Sequence, residues 1–126
     1  MEPLNSIGID TQWGMRHFEL LHADVTKLDF HVDLLMISVL TSDFSPLDGT
    51  VVGALSSNLG ISVKRLSEEP ELEFLIQPSS RLWVSKVVNP MRINRIMCLE
   101  IPYDDLNVSQ IVEQAFRSLA MLEART

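Results

Sequence analysis

One short run constrains this chain more than any other feature. Residues 34–40, Leu-Leu-Met-Ile-Ser-Val-Leu, follow a Val32-Asp33 pair, and a single polar side chain, Ser38, interrupts them. Too short to cross a membrane, which takes roughly 20 residues, the run reads as a buried strand. Near-continuous apolar character suits a central parallel strand covered on both faces better than a half-exposed antiparallel one. Upstream lies an Asp24-Val25-Thr26 turn.

The rest of the chain supplies alternating elements. Residues 1–16 carry Pro3, Gly8 and Gly14 with little periodicity and predict a loose arm or a short edge strand. Residues 18–25 predict a strand. After residues 41–44, Ser45 fits an N-cap, Pro46 the first helical position and Asp48 the third residue beyond the cap. Leu47, Val51, Val52, Leu55 and Leu59 would share one helical face, which Gly60 ends. Gly49 and Gly53 lie four apart in that segment, each costing about 1 kcal/mol against alanine. Residues 61–75 predict a short helix and an acidic loop broken at Pro70, and residues 81–88 and 93–101 predict strands, the second buried. Asn107 would then cap a long helix with Gln110 in the capping-box position. Its apolar stripe is Val108, Ile111, Val112, Ala115, Phe116, Leu119 and Leu122, and Glu113 and Arg117 are spaced for an i,i+4 pair.

Strands alternating with helices predict an α/β three-layer sandwich, with a mixed, mostly parallel sheet and helices on both faces. At 126 residues one domain is expected, with 1–16 as its arm, as the N-terminal part of a longer protein. The start of the chain has neither a basic segment nor an apolar core of signal-peptide type. One cysteine, Cys98, cannot form an internal disulfide, so a reducing cytoplasm is the expected compartment. The net charge of −7 repels nucleic acid and anionic membranes at long range, and neither is expected as a partner.

Chemistry is sparse. In an open parallel sheet ligands favour the carboxyl ends of strands, here residues 40–44 and 102–106. A helix N-terminus at Ser45 would attract an anion, but Asp43 and Asp48 flank it, and Tyr103-Asp104-Asp105 makes the second mouth acidic as well. No glycine-rich phosphate loop occurs. His17, His22 and His31 lack metal-ligand spacing. No metal, no cofactor and no catalytic residue is expected. Arg81, Lys86, Arg92 and Arg95 cluster, as do Glu68, Glu69, Glu71 and Glu73. Each cluster reads as solvated surface or as half of a polar protein contact.

Laid out this way, the chain resembles a macro domain. Ala23-Asp24-Val25-Thr26 stands where that family carries Gly-Asp-Ile-Thr, residues 32–37 match its Val-Asp-Ala-Ile-Val-Asn strand, and residues 46–55 occupy its loop-and-helix place. The divergent macro-like N-terminal domain of leucine aminopeptidases is a second relative. The resemblance implies binding of ADP-ribose or a related nucleotide, with Asp24 at the adenine amino group and Val25 beside it. Asp43, Ser45, Gly49 and Tyr103, in the two loops, complete the ligand set. Ile37 and Leu40 replace the family's catalytic-site asparagines, and the triple glycine is missing. The resemblance therefore implies no hydrolase. The expected function is a non-enzymatic macro-like module that mediates protein–protein contacts or senses a ligand for an attached effector. Its partner would be a protein or its own downstream domains, with a homodimer open. The alternative is an ADP-ribose-like nucleotide-binding domain without hydrolase activity.

Overall fold

The structure is a computed structural model and describes residues 3–77, 80–88, 92–102 and 108–125. In chain order it contains β1 (Asn5–Thr11), β2 (Gly14–Leu20), a 3₁₀ turn at Val25–Lys27, β3 (Val32–Leu40), α1 (Val51–Leu59), α2 (Val63–Glu68), β4 (Leu72–Gln77), β5 (Ser80–Val84), β6 (Ile93–Ile101) and α3 (Val108–Arg125). Contacts divide the chain into two compact units, one ending at Phe30 and one beginning at His31.

The first unit is built on an antiparallel hairpin, not a loose arm. β1 pairs with β2 from Asn5↔Leu20 to Thr11↔Gly14. Gly14 has a φ of +102°, which a side chain would disfavour. Thr11 Oγ1 accepts from the Trp13 N–H at 3.2 Å and donates to the Gly14 carbonyl at 2.6 Å, closing the turn. The strand expected over 18–25 ends at Leu20, and the chain then winds into the 3₁₀ turn.

The second unit is a four-stranded sheet in the order β3-β6-β5-β4. Only β3 and β6 are parallel; β6–β5 and β5–β4 are antiparallel. The expected three-layer sandwich, with a mostly parallel sheet and helices on both faces, is therefore overturned. Among the described residues the chain is a small mixed α/β protein of six strands in two sheets, one mostly antiparallel, with three helices. The reason lies in the connections. Only residues 78 and 79 separate β4 from β5, and among the described residues no helix lies between β5 and β6. Neither link makes the crossover that parallel neighbours need. β4 itself occupies the segment read as an acidic loop. Leu72 and Phe74 alternate with the exposed Glu73 and Leu75, the pattern of a half-solvated antiparallel strand.

The central strand is not the one the opening run suggested. β3 lies at an edge and only Ile37 in it is fully buried, whereas β6 is interior and buried along most of its length. Buried apolar residues form two clusters. Trp83, Ile96, Cys98, Ile37, Val52, Leu55 and Val63 belong to one; Leu82, Val84, Met97, Leu99, Ile111 and Ala115 belong to the other. Successive residues of β5 and β6 alternate between them, as the two-residue period of a strand requires. Each fully buried large aliphatic side chain contributes about 1.5–3 kcal/mol, so these clusters carry most of the unit's stability.

α1 begins later than the sequence predicts. Thr50, not Ser45, is its N-cap, accepting from the Gly53 N–H at 3.0 Å. Gly49 has a φ of +83° and lies outside the helix, and Leu47 is exposed rather than on its buried face. Gly60 closes the helix in the left-handed conformation, as expected. In α3, Ile111 and Ala115 are buried while Val112 and Phe116 of the expected stripe are exposed. Arg117 and Glu113 pair at 2.8 Å. Asn107, the expected cap, lies outside the described residues.

Candidate functional site

The carboxyl end of β3, where a ligand was expected, is tied to β6 by two backbone donors. Thr41 N–H reaches the Ile101 carbonyl at 3.0 Å. Ser42, held at a φ of +59°, gives its N–H to Glu100 Oε1 at 3.1 Å. Asp43 N–H returns to the Leu40 carbonyl at 2.9 Å, and the Asp43 carboxylate accepts from the Ser45 N–H at 3.2 Å and hydroxyl at 2.8 Å. These two hydrogen bonds hold the Asp43 carboxyl below its usual range.

Glu100 is the centre of this region. It lies near the end of β6 and is 3% exposed. Its Oε2 accepts from Arg81 Nε at 2.6 Å and Trp83 Nε1 at 3.0 Å. Arg81 continues the network, reaching Glu73 Oε2 at 2.9 Å and the Ser67 carbonyl at 3.3 Å. Its guanidinium carbon lies 5.8 Å from the Trp83 ring centroid, within cation–π range. Burial alone would pull the Arg81 guanidinium down, but the hydrogen bonds and charges of Glu100 and Glu73 outweigh it and hold it above its ordinary value. Phe44 meets Trp83 edge to face at 6.4 Å. A buried carboxylate is costly unless paired and hydrogen-bonded, and here both oxygens are occupied by donors of the chain. The cluster therefore pins the turn after β3 to the sheet. In the sequence Glu100 is marked only as a lone acid within the apolar run of the predicted buried strand 93–101.

Cys98 sits beside this cluster, and burial pushes its thiol up to about 12, with the Glu100 charge adding to that and Arg81 opposing it. Such a thiol is a small hydrophobe and not a nucleophile. Among the described residues no three His, Cys, Asp or Glu side chains are grouped to hold a metal ion.

The expected ligand residues that are described are divided between the two units. Asp24 and Val25 belong to the first. Asp24 caps the 3₁₀ turn, its Oδ1 accepting from the Thr26 hydroxyl at 2.7 Å and N–H at 2.9 Å. Those bonds hold its carboxyl below the usual range. Asp43, Ser45 and Gly49 belong to the second, where Asp43 and Ser45 bond each other and Gly49 faces open space. Tyr103, like Asp104 and Asp105, lies outside the described residues. His17, His22 and His31 are exposed, and His31 Nδ1 lies 3.3 Å from Asp33.

Three residues of the basic cluster pair with three of the acidic one. Arg81 pairs with Glu73, Arg95 with Glu71, and Lys86 with Glu69 at 3.8 Å. Partly exposed pairs of this kind contribute about 0–1 kcal/mol each.

The hairpin presents a different surface. Its register and alternation put Ile7, Ile9, Phe18 and Leu20 on one face with Arg16, and Ser6, Gly8, Asp10, His17 and Glu19 on the other with Met15. All four apolar residues are exposed, Phe18 at 67% and Ile7 at 55%, and Trp13 at the turn is 74% exposed. Compared with family models, curated proteins and solved structures, the chain shows no match. No helix among the described residues is long and apolar enough to cross a membrane.

Proposed function

We propose that this chain is a protein-contact module. The observation that carries the reading is the one-sided hairpin, with Ile7, Ile9, Phe18 and Leu20 aligned on a single exposed face. A lone two-stranded hairpin is marginal in water. An exposed contiguous apolar patch backed by a polar face is characteristic of a surface meant to be covered by protein. The saturated Glu100–Arg81 cluster and the inert Cys98 thiol give the same region of the second unit a structural use instead of a chemical one.

The two tryptophans provide the test. Trp83 is fully buried and Trp13 is exposed, so a soluble quencher reaches only Trp13 in the free chain. Light scattering across a concentration series, with quenching read in parallel, should show Trp13 protected as the chain engages a second copy. An Ile7→Ser/Phe18→Ser variant should lose that protection while Trp83 stays inaccessible. A strictly monomeric chain whose Trp13 stays fully quenchable across the series defeats the reading.

A further inference from the structure

The two edges of the four-stranded sheet are treated differently. β4 is shielded in the ways exposed edges usually are. It is short, its register with β5 shifts between Leu75 and Gln77, and Glu73 within it and Glu71 before it carry charge. β3 has none of these devices. It is nine residues long, and its register with β6 runs without a shift from Val32↔Ile93 to Leu40↔Ile101. Asp33 near its start is its single charged residue. Among the described residues no strand pairs with its outer side.

We infer that β3 pairs antiparallel with the β3 of a second copy, joining two four-stranded sheets into one. This goes beyond the contact-module reading, which stands on the hairpin, and names a second surface, β3, with another copy of the chain as its partner. Such a pair has a two-fold axis normal to the sheet, which keeps each face on its own side. Leu34, Met36, Ser38 and Leu40 then face the same set of the other copy. Leu35, Ile37 and Val39 do likewise and continue the Trp83 cluster across the axis. A strand paired to this edge sets its side chains beside those of β3, all apolar but Asp33 and Ser38, so an apolar strand suits it best. Within the sheet, β5 and β6 are interior and β4 is shielded, so the apolar edge that another copy can offer is β3 itself. Charge permits this arrangement. With the axis at Met36, the two Asp33 residues lie six strand positions apart, about 20 Å. That exceeds the screening length of about 8 Å in physiological salt. The chains, at −7 each, still repel at long range, so salt should strengthen the dimer.

The test uses the full chain and two charge variants at exposed β3 positions, Met36→Lys/Ser38→Lys and Met36→Glu/Ser38→Glu. With the axis at Met36 or at Ile37, each variant sets like charges against each other. Light scattering should give twice the single-chain mass for the parent and once that mass for either variant alone. An equimolar mixture should return to twice the mass, because Lys then faces Glu; no purely structural effect of either variant predicts that rescue. A monomeric parent, variants that still dimerise, or a mixture that stays monomeric overturns the β3 pairing. A dimer that survives both β3 variants but dissociates with Ile7→Ser/Phe18→Ser overturns it while leaving the contact reading intact.

Discussion

Arg81 Nε donates to Glu100 Oε2 at 2.6 Å, joining a buried carboxylate on β6 to a guanidinium on β5 that also grips Glu73. Removing the cation alone should be severe. Arg81→Met strands a buried charge, with an expected loss of about 3 kcal/mol in urea unfolding. Adding Glu100→Gln should restore part of it, since no charge is left to bury and the amide oxygen still accepts from one of Ser42 N–H and Trp83 Nε1, while its NH2 faces the other donor. A double variant no more stable than Arg81→Met would show that the pair is not the unit of stability.

Acid should loosen the two Asx turns. Asp24 and Asp43 both have carboxyls held low, by Thr26 and Ser45 respectively. In the acid range the unfolded chain therefore binds more protons at these sites than the folded one. Their stabilisation is complete above the usual carboxylate range and fades as pH falls through the folded values. Thermal midpoints measured from neutral to acid pH should drop along that limb, and Asp24→Ala/Asp43→Ala should flatten it.

Two glycines, one inside α1 and one capping it, should respond unequally to alanine. At Gly60, with a φ of +67° and open space around it, the cost should be about 1 kcal/mol of left-handed strain. At Gly53 an added Cβ would lie 2.0 Å from the Leu47 carbonyl oxygen, so the segment before α1 must move. Gly53→Ala should cost more than Gly60→Ala, despite alanine's advantage of about 1 kcal/mol inside a helix. Denaturation midpoints of the two variants give the order directly.

Cys98 should report global unfolding. With its thiol buried and pushed up to about 12, it should resist thiol reagents at mildly alkaline pH until the fold opens. Labelling in a urea series should track the loss of Trp83 burial. Rapid labelling in the absence of urea would indicate local opening around β6.

ADP-ribose should produce neither heat nor a thermal shift in calorimetry if protein contact is the chain's role. A micromolar affinity abolished by Asp24→Ala would instead favour the nucleotide reading, since Asp24 is the residue that reading depends on.

Much of the local structure was legible in the sequence. The buried strand over 93–101, the strand that became β3, the Gly60 stop and the Glu113–Arg117 pair all follow from short-range spacing. The start of α1 was misplaced because Ser45-Pro46 has the composition of a helix entry. Its hydroxyl and N–H go to Asp43 instead, and Gly49, at positive φ, interrupts the path. The hairpin was hidden because its alternation is brief and its turn carries Gln12 and Trp13 in place of a standard turn pair.

By itself the sequence determined which segments are apolar enough to be strands and where one helix ends. It could not rank the strands. The apolar run over 34–40 and the one over 96–99 look alike as strings, yet one became an edge and the other the centre, because strand order depends on pairings between residues far apart in the chain. The same distance dependence decided the charges. Glu69, Glu71 and Glu73 read as a patch until the sheet set them against Lys86, Arg95 and Arg81. Glu100 became tolerable only when Ser42, 58 residues away, and the side chains of Arg81 and Trp83 converged on its carboxylate.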